Sequence, residues 1–334
     1  MAKTLMRHVK KKINLSERMF GILKKASALS LAAHESCTRW ILGRFKHRYK
    51  KEEYISFSGD LLYGIQPVSL ALKAKRRTVH RIYYNPGSAR AVEIAKVAQG
   101  VDIVELKREA LDSVCRQVDR YKEHHVHQGI VADVSRLHHV PYDFRRTQPW
   151  LQSESSPPIE ETRILNSDRL PLWLLLCSVR DPMNLGTILR TSHFLGVDRV
   201  LVTGARCELS CIVSKASVGA LEVTPLWAVS RPVEFLRGLR DSGWSTLAAC
   251  LGDGDGGPSS MPVSSLSFSK LGPTVVVLGS EGDGIPGEVL AECNFGVHIA
   301  PGHSAEAEVD SLNVSVATGI LLHSLVTTQR VGNL

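Results

Sequence analysis

In the stretch Leu172-Trp173-Leu174-Leu175-Leu176-Cys177-Ser178-Val179-Arg180-Asp181-Pro182-Met183-Asn184-Leu185-Gly186-Thr187-Ile188-Leu189-Arg190, the first six residues are apolar without alternation. That is the pattern of a parallel strand buried on both faces. Asp181-Pro182-Met183-Asn184 then interrupts the run, and Leu185, Ile188 and Leu189 recur at helical spacing. The alternation continues with strand 199–203, helix 212–220, strand 222–227, helix 232–241, strand 245–250, strand 274–278, helix 286–292, strand 296–299 and helix 311–326. Strands alternating with helices imply an α/β domain whose parallel sheet is covered on both faces.

Upstream lies a smaller α/β unit. Ser69–Ala74 reads as a short helix, and Val79–Tyr84 as a strand ended by Asn85-Pro86-Gly87. Helix 88–98, strand 101–104, helix 106–120 and strand 129–132 follow. Residues 136–168 combine Pro141, Pro149, Pro157 and Pro158 with Ser153, Ser155 and Ser156 and show no periodicity, which is linker composition. The expected organisation is a basic head over 1–51, a small domain over 59–135, a linker over 136–168 and a larger domain over 169–330.

Charge is divided along the same lines. The 334 residues carry a net +8, but residues 1–51 hold 14 Lys/Arg against Glu17 and Glu35, leaving −4 for residues 52–334. The basic total therefore says nothing about nucleic-acid binding by the body. The acid-poor head mixes bases with Leu, Ile, Ala and Ser and lacks a long apolar core. This suits a mitochondrial transit segment, with a basic RNA-binding arm or a solvated tail as alternatives. No apolar run reaches the roughly 18 residues of a membrane span, so no membrane anchor is expected. In the small domain Lys73, Lys75, Arg76, Arg77 and Arg81 lie close together, either as a solvated face or as a contact for an RNA backbone. Cys207 and Cys211, with no second pair or His nearby, read as structural and not as zinc ligands.

The chemistry-bearing residues sit at the ends of apolar elements. Asn184 can cap a helix while offering both a donor and an acceptor, and Gly186 admits a close backbone or ligand. Arg190 lies near an otherwise apolar helix face, where it serves either a structural ion pair or an anionic ligand. The strand at 275–278 ends in Gly279-Ser280-Glu281-Gly282-Asp283-Gly284, a turn at a strand's carboxyl end, where open parallel sheets bind ligands. No Gly-Lys-Ser/Thr and no early Gly-x-Gly-x-x-Gly follow a strand, so P-loop phosphate transfer and dinucleotide-dependent hydride transfer are both disfavoured. Ser311 can cap the last helix, with Asn313 in its first turn. His298 and His303 read as loop or filling residues, and the Gly/Asp-rich loop after Leu251 lacks calcium-loop spacing.

Taken in order, Asn184-x-Gly186-x-x-x-Arg190, Leu278-Gly279-Ser280-Glu281-Gly282 and Ser311-Leu312-Asn313-Val314-Ser315-Val316-Ala317 resemble the three motifs of the SpoU branch of the knotted (SPOUT) RNA 2′-O-ribose methyltransferases, most nearly its mitochondrial ribosomal-RNA members. Leu62-Tyr63-Gly64-Ile65 and His127-Gln128-Gly129-Ile130-Val131-Ala132 resemble the family's ribosomal-protein-L30e-like RNA-binding domain. The resemblance covers roughly 59–328. It implies a C-terminal trefoil knot that holds S-adenosylmethionine, and a homodimer that completes the site. It further implies that Asn184, Arg190, Glu281, Ser311 and Asn313 organise catalysis, while Leu278, Gly279, Gly282, Ile299 and Leu312 contact the cofactor. No metal is implied. The implied activity is 2′-O-methylation of a guanosine in mitochondrial large-subunit ribosomal RNA, in the matrix. The same chemistry on a tRNA and a non-catalytic RNA-binding assembly factor are the alternatives. The acidic span between Pro301 and Ser311 is longer than the family's usual connection.

Overall fold

In a computed structural model of the chain, the described residues are 57–116, 126–142, 170–252, 258–266, 272–302 and 311–331. The basic head, residues 143–168 of the expected linker, the stretch 253–257 and the acidic span 303–310 with His303 lie outside them.

The small domain runs β1 (Asp60–Tyr63), α1 (Ile65–Ala74), β2 (Val79–Tyr84), α2 (Ala89–Val97), β3 (Asp102–Glu105), α3 (Arg108–Arg116) and β4 (Ile130–Val134). Its sheet has the order β1-β4-β2-β3, with β4 antiparallel to both neighbours and β2 parallel to β3. Leu62, Val68, Ile82, Ile94, Ile130 and Val134 close one core beneath the helices. The sequence pattern missed β1, because Asp60–Tyr63 is too short to show a period.

The large domain begins with β5 (Val140–Pro141), a two-residue strand inside the segment of linker composition that pairs with Trp227 and Ala228. It continues with β6 (Leu172–Cys177), α4 (Pro182–Leu195), β7 (Arg199–Thr203), α5 (Cys211–Ala216), α6 (Ala220–Val223), β8 (Leu226–Ala228), α7 (Pro232–Asp241), β9 (Ser245–Ala249), β10 (Ser260–Pro262), β11 (Thr274–Leu278), α8 (Gly287–Leu290), β12 (Phe295–His298) and α9 (Val314–Val331). The strand order is β10-β12-β9-β11-β6-β7-β8-β5, and every pairing is parallel. All six residues of β6 are buried. Leu172, Leu174 and Leu176 enter one core with α4 and α9, and Trp173, Leu175 and Cys177 enter the other with α7. Each fully buried leucine contributes roughly 1.5–3 kcal/mol, so this strand is secured from both faces.

Helix 212–220 was expected as one piece, and the structure divides it into α5 and α6. Val218 (φ 53°) and Gly219 (φ 84°) take left-handed conformations between the two. For a β-branched valine that conformation costs on the order of 1–3 kcal/mol and persists only where the surroundings enforce it. Here they do. A Cβ on Gly219 would lie 2.9 Å from Leu70 Cδ1 and 3.1 Å from both Gln66 O and Pro67 Cα, so α1 of the small domain rests on the break.

Part of the basic cluster, Arg76 and Arg77, is engaged within the protein and matches neither expectation. Arg77 is buried and paired with Glu222, Arg76 donates to the Leu221 carbonyl, and Arg81 pairs with Asp102. Lys73 and Lys75 remain exposed. Cys207 and Cys211 are buried and form no disulfide, and burial pushes Cys207 up to about 11.

Candidate functional site at the carboxyl edge of the sheet

Helix α4 starts where the sequence asks for it, but a different residue caps it. Asp181 is extended (φ −72°, ψ 120°), and its carboxylate accepts from the backbone N–H groups of Met183 (3.2 Å) and Asn184 (3.3 Å). Pro182 occupies the first turn, where it leaves no donor unsatisfied. With capping done by Asp181, the side-chain amide of Asn184 is released for other work. At the other end Gly196 (φ 78°) closes the helix in the left-handed conformation.

The released amide joins all three motifs. Asn184 Nδ2 donates to Glu281 Oε1, and Asn184 Oδ1 accepts from Asn313 Nδ2 at 3.0 Å. Asn313 Oδ1 in turn accepts from the Ser315 backbone N–H (2.8 Å) and from Ser315 Oγ (2.6 Å). Every donor in this chain points toward the Glu281 carboxylate, so each bond polarises the next. Residues 97 and 129 positions apart in the sequence are thereby held at one edge of the sheet. Asn184 is half-buried, and Glu281 and Asn313 are exposed, so the chain remains open to a ligand.

The glycine turn after β11 is tight. A Cβ on Gly279 would fall 2.1 Å from the Gly284 carbonyl carbon and 2.4 Å from Ile285 N, within a turn closed by the Ser280–Gly284 bridge. Ser280 Oγ accepts from Asp283 N at 3.1 Å. Gly282 instead faces open space and is exposed. Leu278 is buried at the end of β11, whereas Ile299, half-buried, packs against the core at the exit of β12. Ser311 and Leu312 lie exposed on the segment that Asn313 anchors, with Leu312 at 49%.

Helix α9 begins at Val314, and Ala317 N donates to Asn313 O at 2.9 Å. Asn313, and not Ser311, is therefore the residue that caps it. Gly186 also finds a role: a Cβ there would lie 2.4 Å from Ala216 Cβ and 2.9 Å from Val213 O, so this glycine lets α5 approach α4. His298 Nδ1 is 2.8 Å from Ser260 Oγ and ties β12 to β10.

Arg190 stands apart from the hydrogen-bonded chain. Six residues after Asn184, it lies about 9 Å farther along the helix axis and on a different side. Met183, Thr187, Arg190 and Phe194 form one exposed stripe, with Phe194 at 86% and Met183 at 52%. Among the described residues no acidic side chain forms an ion pair with Arg190. Helix α9 packs against α4 and presents Val316 and Ile320 to solvent.

The sequence pattern missed three contributors. Asp181 was passed over because a neighbouring asparagine was the more obvious cap. Ser315 reads from the sequence only as a motif position, although an asparagine followed two residues later by serine is a recognisable local turn. Leu251, 67% exposed, follows β9 at the same edge as β11 and β12 and was hidden by the glycine-rich loop around it.

Comparison with known proteins bears on this edge. Residues 171–323 match the SpoU rRNA Methylase family, and residues 61–140 match the RNA 2′-O ribose methyltransferase substrate binding family. The chain is 37% identical over 283 residues to a Homo sapiens protein named rRNA methyltransferase 1, mitochondrial, a match spanning 82% of this chain and 74% of that one. It is 31% identical over 270 residues to 23S rRNA (guanosine-2′-O-)-methyltransferase RlmB of Pseudomonas aeruginosa, spanning 80% and 96%. Among solved structures, the SpoU methyltransferase AviRb from Streptomyces viridochromogenes in complex with the cofactor AdoMet shares the fold with a TM-score of 0.58 at 21% identity, covering 81% of this chain and 90% of that one.

Proposed function

The chain belongs to the SpoU rRNA methylase family, and from that premise we propose that it methylates the ribose 2′-hydroxyl of a guanosine in mitochondrial large-subunit ribosomal RNA. S-adenosylmethionine, when bound, would supply the electrophilic methyl group that the 2′-oxygen takes, leaving S-adenosylhomocysteine while the hydroxyl proton passes to solvent. The observation that carries this reading is the Glu281–Asn184–Asn313 chain, which gathers the three motifs at the carboxyl edge of a parallel sheet.

The edge fits such a cofactor. Leu312 offers exposed apolar surface, Ile299 and Leu251 border it, and the turn at 279–284 presents backbone groups with open space at Gly282. We assign cofactor contact to Leu278, Gly279, Gly282, Ile299 and Leu312, the buried Leu278 through its backbone. Asn184, Glu281 and Asn313 hold the rims of the pocket in register, and Ser311 borders it. A guanidinium is a poor proton acceptor, so Arg190 binds the RNA phosphate or the developing 2′-oxyanion and takes no proton itself.

The exposed stripe of Met183 and Phe194 beside Val316 and Ile320 supports a homodimer, since exposed large apolar side chains in one patch favour a partner. The position of Arg190 in that stripe, away from Asn184, supports its completing the site of a second subunit. The small domain, over 59–135, binds the RNA, and the domain over 169–330 carries the family's trefoil knot. The acid-poor head directs the protein to the mitochondrial matrix.

Calorimetry and methyl transfer on Arg190→Ala test this reading together. Cofactor binding is expected to persist while turnover is lost. Near-normal turnover would remove Arg190 from the mechanism.

A further inference from the structure

The reaction as proposed makes no use of one deeply buried pair of charges. Arg77, on the loop after α1 of the small domain, and Glu222, on α6 of the large one, have side chains only 3% and 0% exposed and approach to 2.8 Å. Arg77 also donates to Glu222 Oε1 at 3.1 Å and to the Ser135 carbonyl at 3.3 Å. Ser214 Oγ donates to the same Glu222 oxygen at 2.7 Å. Beside the pair, Arg76 donates to Leu221 O at 2.8 Å, and Lys215 Nζ reaches Gln128 Oε1 at 3.3 Å. The α5–α6 break, with Val218 and Gly219 in left-handed conformations, is shaped to α1. Helix α5 also touches Gly186 of α4, the helix that carries Asn184 and Arg190.

We propose that Arg77, Glu222 and Ser214 form an interdomain lock that holds the RNA-binding domain at one setting against the catalytic helix, so that bound RNA meets the site in register. These are positioning residues. The inference rests on the reading that residues 59–135 bind the RNA. A surface contact between domains would leave their relative placement free to vary. A buried charge pair restricts it, because a small displacement parts the charges before water can reach them. Ordering the two domains before RNA arrives removes that cost from the encounter with the target ribose.

The test uses the full chain and the variants Glu222→Gln, Ser214→Ala and the double variant Arg77→Met with Glu222→Leu. Hydrogen exchange is followed across residues 65–74 and 211–223, alongside turnover, RNA affinity and cofactor affinity. In Glu222→Gln, exchange in those two segments is expected to speed about tenfold and kcat to fall about tenfold, with both affinities within twofold of the parent. Ser214→Ala moves the same way by less and stands in where Glu222→Gln does not fold. The apolar double variant, which leaves no stranded charge, restores exchange protection and turnover. The lock is overturned if folded Glu222→Gln and Ser214→Ala keep parental turnover, or if exchange quickens equally in β6 and β11, which would mark global loosening. If the parent methylates no ribosomal RNA, the functional reading fails, while exchange still decides the lock.

Discussion

The Glu281–Asn184–Asn313 chain and the Arg77–Glu222 pair use similar polar groups in opposite settings. The first lies at the open edge of the sheet, where Glu281 and Asn313 stay exposed and unused bonding capacity faces outward. The second lies where burial pushes the Glu222 carboxyl up and the Arg77 guanidinium down, each away from its charged form, while their attraction opposes this. A polar group at an open edge gains little stability and is free to meet a ligand. A buried pair costs desolvation and offers no ligand access, so what it secures is a fixed arrangement.

The largest expected effect breaks the buried side of the comparison. Arg77→Met strands the Glu222 charge and lowers stability by about 3–5 kcal/mol in denaturant unfolding. Its exposed counterpart, Arg190→Ala, leaves the unfolding midpoint unchanged and instead cuts methyl transfer by about 10²–10³-fold in a labelled-methyl assay. If the proposed homodimer shares its site, mixing Arg190→Ala subunits with Asn313→Ala subunits, each inactive alone, is expected to recover activity, because a mixed dimer would then hold one intact site. Gly186→Ala probes the packing that links the two regions. Its Cβ meets Ala216 Cβ at 2.4 Å, and overpacking of this kind costs about 1–3 kcal/mol by thermal unfolding. Arg81→Ala breaks the exposed pair with Asp102 and is expected to leave the melting temperature unchanged within error.

Much of the large domain was legible because its strands are long and doubly buried. Leu172–Cys177, Arg199–Thr203 and Thr274–Leu278 have the bounds that their apolar runs announce. The paired strands of two and three residues, Val140–Pro141 and Ser260–Pro262, contain prolines and show no period, so only tertiary pairing reveals them. The division of helix 212–220 was hidden for a related reason. Composition favours one helix, and the contact of Gly219 with Gln66, Pro67 and Leu70 breaks it.

At the site, the motif residues could be named from their order, but their bonding could not. Only Pro182, favoured at the first helical position, points locally to Asp181 over Asn184 as the cap, and that choice decides whether the Asn184 amide is free to bridge Glu281 and Asn313. The basic run at 73–81 was open to misreading for the converse reason. Charge patterning cannot tell an arginine that faces solvent from one that faces a glutamate far along the chain.

Site-resolved mapping of ribose methylation tests the central claim most directly. Unmodified mitochondrial large-subunit ribosomal RNA is incubated with S-adenosylmethionine and either the parent protein or Asn184→Ala. The account predicts that the parent adds a 2′-O-methyl group at one guanosine and that Asn184→Ala, although folded, leaves that position largely unmodified. A parent that modifies no guanosine, or an Asn184→Ala variant that matches it, would contradict the account.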